Sequence, residues 1–253
     1  MTTDKDNPQP IIEVDKLTVE YDGREVLKEV SFKMFPEEIT VILGKSGCGK
    51  TTVLKHIVGL QPVNKGQIRI MGQDIRKVNE EEMEELALKM GVLFQNGALL
   101  NSLTVRENVA IPLEQHTGFP EDLVDVIVRK KLQLVGLIQA LFQYPSQLSG
   151  GMRKRASLAR ALALDPPLLF ADEPSAGLDP VTLNALDHLL LEFKSKLGIT
   201  ILLVTHEIPS VIRLADRMVF LEEGKVLFEG SLEDGQNAGI EQIDDFFKEG
   251  MPS

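Results

Sequence analysis

Three glycines, two lysines and a terminal threonine share the eight residues Gly44-Lys45-Ser46-Gly47-Cys48-Gly49-Lys50-Thr51. The spacing suits a loop whose backbone N–H groups converge on phosphate oxygens, with the positive end of a following helix behind them. Its context agrees. The apolar run 39–43 reads as a buried strand, and Val53, Leu54, Ile57 and Val58 fall on one face of a helix. Lys50 is expected to reach the β and γ phosphates and Thr51 to hold Mg2+ through its hydroxyl, while Lys45, Ser46, Cys48 and Thr52 complete the cradle. Cys48, near a helix N-terminus, is expected to have a lowered thiol pKa and to react with alkylating reagents; a buried bystander is the equal alternative.

A second constellation ends the apolar run 168–171, where Asp172 and Glu173 stand side by side. Strands of α/β sheets present ligands at this end. Asp172 suits Mg2+ through water, and Glu173 suits taking a proton from an attacking water. Four further positions join them. Gln95 follows a strand and carries an amide able to sense Mg2+ or a γ phosphate, although alone it reads equally as a loop residue. His206 can donate to a γ phosphate or be structural. Tyr21 can stack on a base or simply pack. Residues 175–179, closed by Asp179, form either a close subunit contact or an ordinary cap before Pro180. Finally, Ser149, Gly150 and Gly151 open a basic helix, a second anion-binding design in a chain that already has one.

These groups must be positioned by converging strands. Alternating runs at 11–14, 17–21 and 30–34, with a turn at Asp22-Gly23, predict an antiparallel β layer, and 66–71 alternates again. Asn79 and Glu82 form a capping-box pattern for a helix to about Met90, with Glu85 placed to pair with Lys89. After a strand at 91–94 the pattern turns mostly helical to Leu164, with Val124, Val128, Leu132 and Val135 in one stripe and Pro145 read as a helix end. Strands return at 168–171 and 199–204, helices at 181–197 and 209–215, and a hairpin turns at Glu223-Gly224. The fold class is therefore α/β: a mostly parallel core sheet, an antiparallel β subdomain and an inserted helical subdomain.

Composition narrows the functions. The chain has 253 residues, 43% of them hydrophobic, enough for a sizeable core. No apolar stretch approaches the roughly 18 to 20 residues that span a bilayer. A net charge of -11 argues against nucleic acid as a partner. The single cysteine, Cys48, excludes an intramolecular disulfide and a Cys-rich zinc site, and the histidines lack metal-ligand spacing.

Taken in order, Tyr21, the loop Gly44 to Thr51, Gln95, Leu148-Ser149-Gly150-Gly151, Asp172-Glu173, the 175–179 turn and His206 resemble the nucleotide-binding subunits of ABC transporters. The resemblance covers about residues 11–229. It implies the P-loop ABC ATPase fold, with an ATPase domain at 11–230 made of a core (11–95 and 165–230) and a helical subdomain (about 96–164); residues 1–10, rich in Asp, Asn and Pro, read as a flexible leader before it. It also implies ATP and Mg2+ as cofactors and a head-to-tail homodimer. In such a dimer Ser149, Gly150, Gly151 and Asp179 act in trans on the partner's ATP, which accounts for the second anion site. Lys50, Gln95, Glu173 and His206 are then the catalytic set, with Thr51, Gln95 and Asp172 around the metal.

The stretch "GVLFQNGALLNSLTVRENVAIPLEQHT" and Met152 after Ser-Gly-Gly resemble more narrowly the ATPases of Mce/Mla-type systems, except that Leu100 stands where phenylalanine is expected. That resemblance implies movement of phospholipids or other hydrophobic molecules. Its partners would be integral membrane permease subunits docking around 95–112, an Mce-domain lipid carrier and a small regulatory subunit, at the cytoplasmic face of the inner membrane. The alternatives are an ATPase of a polar-solute importer, a soluble non-transport ATPase of the same superfamily and a non-catalytic scaffold. The acidic tail at 231–253, with Phe246 and Phe247, is expected either to pack on a partner or to end the fold.

Overall fold

The computed structural model describes residues 9–249, so most of the expected leader (1–8) and the last residues of the tail (250–253) lie outside the described residues. β1 (Ile12–Tyr21) and β2 (Arg24–Met34) pair antiparallel about Asp22-Gly23. The two short runs expected at 11–14 and 17–21 are one strand. A register shift between Val14 and Leu17, with Lys16 at φ 48°, restores the apolar side chains to the buried face after the break in alternation. β4 (Lys65–Ile70) and β5 (Gln73–Asp74) complete a four-stranded sheet in the order β2-β1-β4-β5, once β3 (Ile39–Leu43) has left for a second sheet.

That six-stranded sheet runs β10 (Lys225–Ser231), β9 (Arg217–Glu222), β3, β8 (Thr200–Val204), β7 (Leu168–Asp172), β6 (Met90–Leu93). All neighbours are parallel except β10 on β9. Its central strands read as unbroken apolar runs because both faces are covered. Val41, Leu43, Ala171 and Leu203 enter one core, and Ile42, Phe170, Leu202 and Val204 the other. The parallel register brings the ends of β3, β6, β7 and β8 to one edge, so the segments carrying Gly44, Gln95, Glu173 and His206 meet there.

Around the sheets lie α1 (Lys50–Ile57), α2 (Glu80–Leu88), α3 (Val105–His116), α4 (Glu121–Leu134), α5 (Gly150–Ala161), α6 (Pro180–Leu197), α7 (Ile208–Leu214), α8 (Leu232–Gln236) and α9 (Glu241–Glu249). The Asn79–Glu82 capping box is present in full. Its helix stops at Leu88, short of Met90, because Met90 already pairs with Leu168 in the sheet. The expected Glu85–Lys89 pair is not formed among the described residues; Lys89 caps the helix, and Glu84 instead lies 3.7 Å from Nδ1 of His116. In the insertion, Val124, Val128, Leu132 and Val135 are buried against Val105, Val109 and Leu113 of α3. Pro145 does not end a helix. It opens a short 3-10 turn at Pro145–Gln147, where its missing N–H is no loss, while Pro112 sits inside α3.

The tail packs on its own chain. Ile243, Phe246 and Phe247 join the main core, and the Phe246 ring meets Phe220 edge-on at 5.4 Å. No helix among the described residues is long and apolar enough to cross a membrane.

Candidate active site

Between β3 and α1 the phosphate-type loop winds through backbone conformations that side chains resist. Gly44 has φ 143°, and a Cβ there would sit 2.0 Å from the carbonyl oxygen of Leu221; Gly49 has φ 109°, with Leu27 Cδ2 2.5 Å from its would-be Cβ. Lys50 is buried and folds back over the loop, its Nζ donating to the carbonyls of Gly44 at 2.8 Å and Lys45 at 3.1 Å. At the loop's foot the Thr51 hydroxyl donates to Oδ1 of Asp172 at 3.0 Å. Burial pushes the Asp172 carboxyl above its ordinary range, partly offset by the Thr51 hydrogen bond. A cation placed there would relieve that strain on the charged form.

Glu173 follows β7 in a left-handed conformation, φ 46°, which costs a non-glycine residue about 1–2 kcal/mol. Its N–H donates to Val204 O at 2.8 Å, tying it to the neighbouring strand. His206 Nδ1 lies 2.9 Å from Glu173 Oε1, so with the carboxylate ionised the imidazole is the donor. The other oxygen, Oε2, is buried without a hydrogen-bond partner. Such an acceptor is costly unless something from the cavity meets it.

These groups face a cavity of about 590 Å3, a volume suited to a nucleotide. Lys45, Lys50, Thr51, Thr52, Gln95, Glu173 and His206 line it with Gly44, Ser46, Gly47 and Gly49; Val26, Ile208 and Phe246 form the apolar wall. Asp172 stands behind Thr51. An oxygen donor set of hydroxyl, carboxylate and amide fits Mg2+, a hard cation that keeps few protein ligands. The described residues contain no cluster of three His, Cys, Asp or Glu able to hold a metal alone.

Several expected site residues lie elsewhere. Cys48 points into the core rather than the cavity, and burial pushes its thiol pKa up, so of the two alternatives it is the buried bystander. We expect a thiol reagent such as DTNB to modify the native protein at least about tenfold more slowly than the urea-unfolded chain. Equal rates would contradict the burial. Tyr21 does not line the phosphate cavity; it borders another of about 470 Å3, its hydroxyl bonded to Gln61 Oε1. Ser149 is exposed as the N-cap of α5, accepting from Met152 N at 3.3 Å. Gly150 and Gly151 begin that helix; a Cβ on Gly151 would meet Thr182 Cγ2 at 2.4 Å. Asp179 caps α6, accepting from the N–H groups of Val181 at 3.1 Å and Thr182 at 3.0 Å. The Ser-Gly-Gly segment and the 175–179 turn are thus neighbours, Leu178 Cδ2 lying 3.8 Å from the Cβ that Gly150 would carry, and none of Ser149, Gly150, Gly151 and Asp179 lines the chain's own cavity.

Sequence reasoning missed Lys154. It lies on α5, buried at 7% exposure, and donates to the main-chain oxygens of Gln95 and Glu173. The available signal was its position four residues before the buried Leu158, on the inward face of a helix otherwise read as basic.

The family model for ABC transporters matches residues 27–176. The intermembrane phospholipid transport system ATP-binding protein MlaF of Haemophilus influenzae is 40% identical over 225 residues, spanning 89% of this chain and 85% of the relative. The probable ribonucleotide transport ATP-binding protein mkl of Mycobacterium leprae is 41% identical over 210 residues, of which the chain spans 83% of itself and 60% of the relative. Among solved structures, cbiO1 of Clostridium perfringens, part of an ABC transporter complex, superposes with TM-score 0.82 at 30% identity and 91% coverage of both chains. The cassette MJ0796, dimeric in a post-hydrolysis state with ADP and Pi, gives TM-score 0.80 at 28% identity, covering 87% of this chain and 98% of that one.

Proposed function

This chain belongs to the ABC transporter family of ATP-binding subunits, and we propose that it hydrolyses ATP to power movement of phospholipids or other hydrophobic molecules through separate membrane subunits. One observation carries the hydrolytic part: Glu173, oriented by His206, presents an unpartnered buried oxygen beside the phosphate loop. In this reading the loop N–H groups and Lys50 bind the β and γ phosphates, and Lys50 gives up its carbonyl partners in the loop to do so. Thr51, Asp172 and Gln95 hold Mg2+, which when bound draws charge off the phosphate oxygens. Glu173 accepts the proton of the attacking water. His206 holds the carboxylate in place and can turn its remaining nitrogen toward the γ phosphate.

Two copies assemble head to tail; a dimeric ATP-binding cassette is among the structural relatives. Ser149, Gly150, Gly151 and Asp179 then close over the partner's ATP, the basic α5 N-terminus supplying N–H donors and positive potential. ATP favours the closed dimer by mass action, and hydrolysis removes that preference.

The lipid substrate rests on similarity to the phospholipid-transport relative across most of the chain. The docking site for the permease is the groove of about 360 Å3 between core and insertion, with Phe94, Ile111 and Pro112 in its lining. This overlaps the expected 95–112 segment. An Mce-domain lipid carrier and a small regulatory subunit complete the complex, which places this subunit at the cytoplasmic face of the inner membrane. Affinity purification of the tagged full chain from its native membranes should bring down an integral permease and an Mce-domain protein with bound phospholipid. Recovery of a soluble binding protein for a polar solute instead would overturn the lipid reading and favour an importer.

A further inference from the structure

The loop at Gln95 and the strained residue Glu173 follow different strands, β6 and β7, and one side chain joins them. Lys154 of α5 places its ammonium between their backbones, donating to Gln95 O and, at 3.3 Å, to Glu173 O. No carboxylate forms an ion pair with it among the described residues, although the charges of Asp172 and Glu173 lie close enough to offset part of the cost of burial. A buried ammonium is expensive to keep, and here its hydrogen bonds go to two carbonyls next to groups proposed for chemistry. Glu173 needs such support, since its φ of 46° is sustained only by surrounding contacts. On the other side, Gly97 and Ala98 also have positive φ, and Arg160, two turns further along α5, donates to both their carbonyls at 2.9 and 2.7 Å. Arg160 fixes only this loop. Among the described residues, Lys154 is the side chain that hydrogen-bonds to both segments.

Resting on the ATPase reading above, we propose that Lys154 is a positioning residue that couples the α5 helix, and with it the Ser149-Gly150-Gly151 cap, to the main chains of Gln95 and Glu173 in the same subunit. Closure of the cap over the partner's nucleotide pulls on α5 at its N-terminus. One turn later Lys154 passes that displacement to the two segments, so engagement of a subunit's cap improves the placement of its own water-activating carboxylate. Lys154 touches neither nucleotide nor water; it acts through backbone placement.

The test compares Lys154→Met, which keeps the apolar stem and loses the donors, with Lys154→Arg, which keeps charge and donors, in the full-length protein with MgATP. Lys154→Met should lower kcat about 10- to 100-fold, with KM for ATP within about twofold of wild type and nucleotide binding retained. Lys154→Arg should recover kcat to within about threefold. A purely structural role would instead move the melting temperature and both kinetic constants, and would not be rescued by charge. Should Lys154→Met fail to fold, Lys154→Gln decides, with kcat expected to fall at least about threefold at unchanged KM. A wild-type kcat in Lys154→Met, or a defect confined to KM, overturns the inference. A wild-type protein unable to hydrolyse MgATP would strike the enzyme reading itself, which separates the two failures.

Discussion

Glu173→Gln is expected to bind ATP as tightly as the wild type while turnover falls about 100- to 10,000-fold, the usual worth of a general base. The amide nearly matches the carboxylate in size and its oxygen still accepts from His206 Nδ1, which sits 2.9 Å away. The backbone ties to Val204 and Lys154 are untouched by the change. Only the ability to take a proton is lost. Because ATP then persists in the pocket, the closed dimer should accumulate, visible as an ATP-dependent shift to twice the monomer mass in gel filtration. Hydrolysis at the normal rate would show that another group accepts the proton, and the partnerless Oε2 would need a different explanation.

The loop from Gly44 to Thr51 was legible because its signal is local: an apolar strand, glycines and a helix in immediate succession leave the backbone few alternatives. Asp172 and Glu173 were legible for the same reason, being polar residues at the end of a strand buried on both faces. What escaped depends on neighbours distant in sequence. Lys154 sits between Arg153 and Arg155 and reads as part of a solvated basic face; only the packing of α5 against β6 and the segments after β6 and β7 buries it. Cys48 was left between a reactive and a buried thiol because position near a helix N-terminus lowers a thiol pKa only where solvent or a cation stabilises the thiolate, and the apolar surround of Leu27, Leu221 and their neighbours comes from distant strands. Pro145 was misread because a proline marks helix starts as well as ends. The tail's Phe246 pairs with Phe220, a contact across more than one element that no local pattern announces. Its place in the cavity wall follows from that packing.

The chain's own cavity contains the phosphate loop, Gln95, Glu173 and His206 but not Ser149, Gly150, Gly151 or Asp179. Sharing between two copies accounts for both sets, and mixing two inactive variants tests it most directly. Lys50→Ala removes the ammonium proposed to bind phosphate, and Ser149→Arg blocks the proposed cap at an exposed position, costing only about 1 kcal/mol of helix capping. Each variant alone should be inactive, since every dimer then carries the same defect twice. In an equal mixture, half the dimers are mixed, and each keeps one site built from an intact loop and an intact cap. Turnover should therefore return, to at most roughly a quarter of the wild-type value, because the working Glu173 belongs to the chain whose own cap is blocked. If each chain instead closes its own pocket, every site in the mixture remains defective, and a mixture no more active than its two components would contradict the shared site.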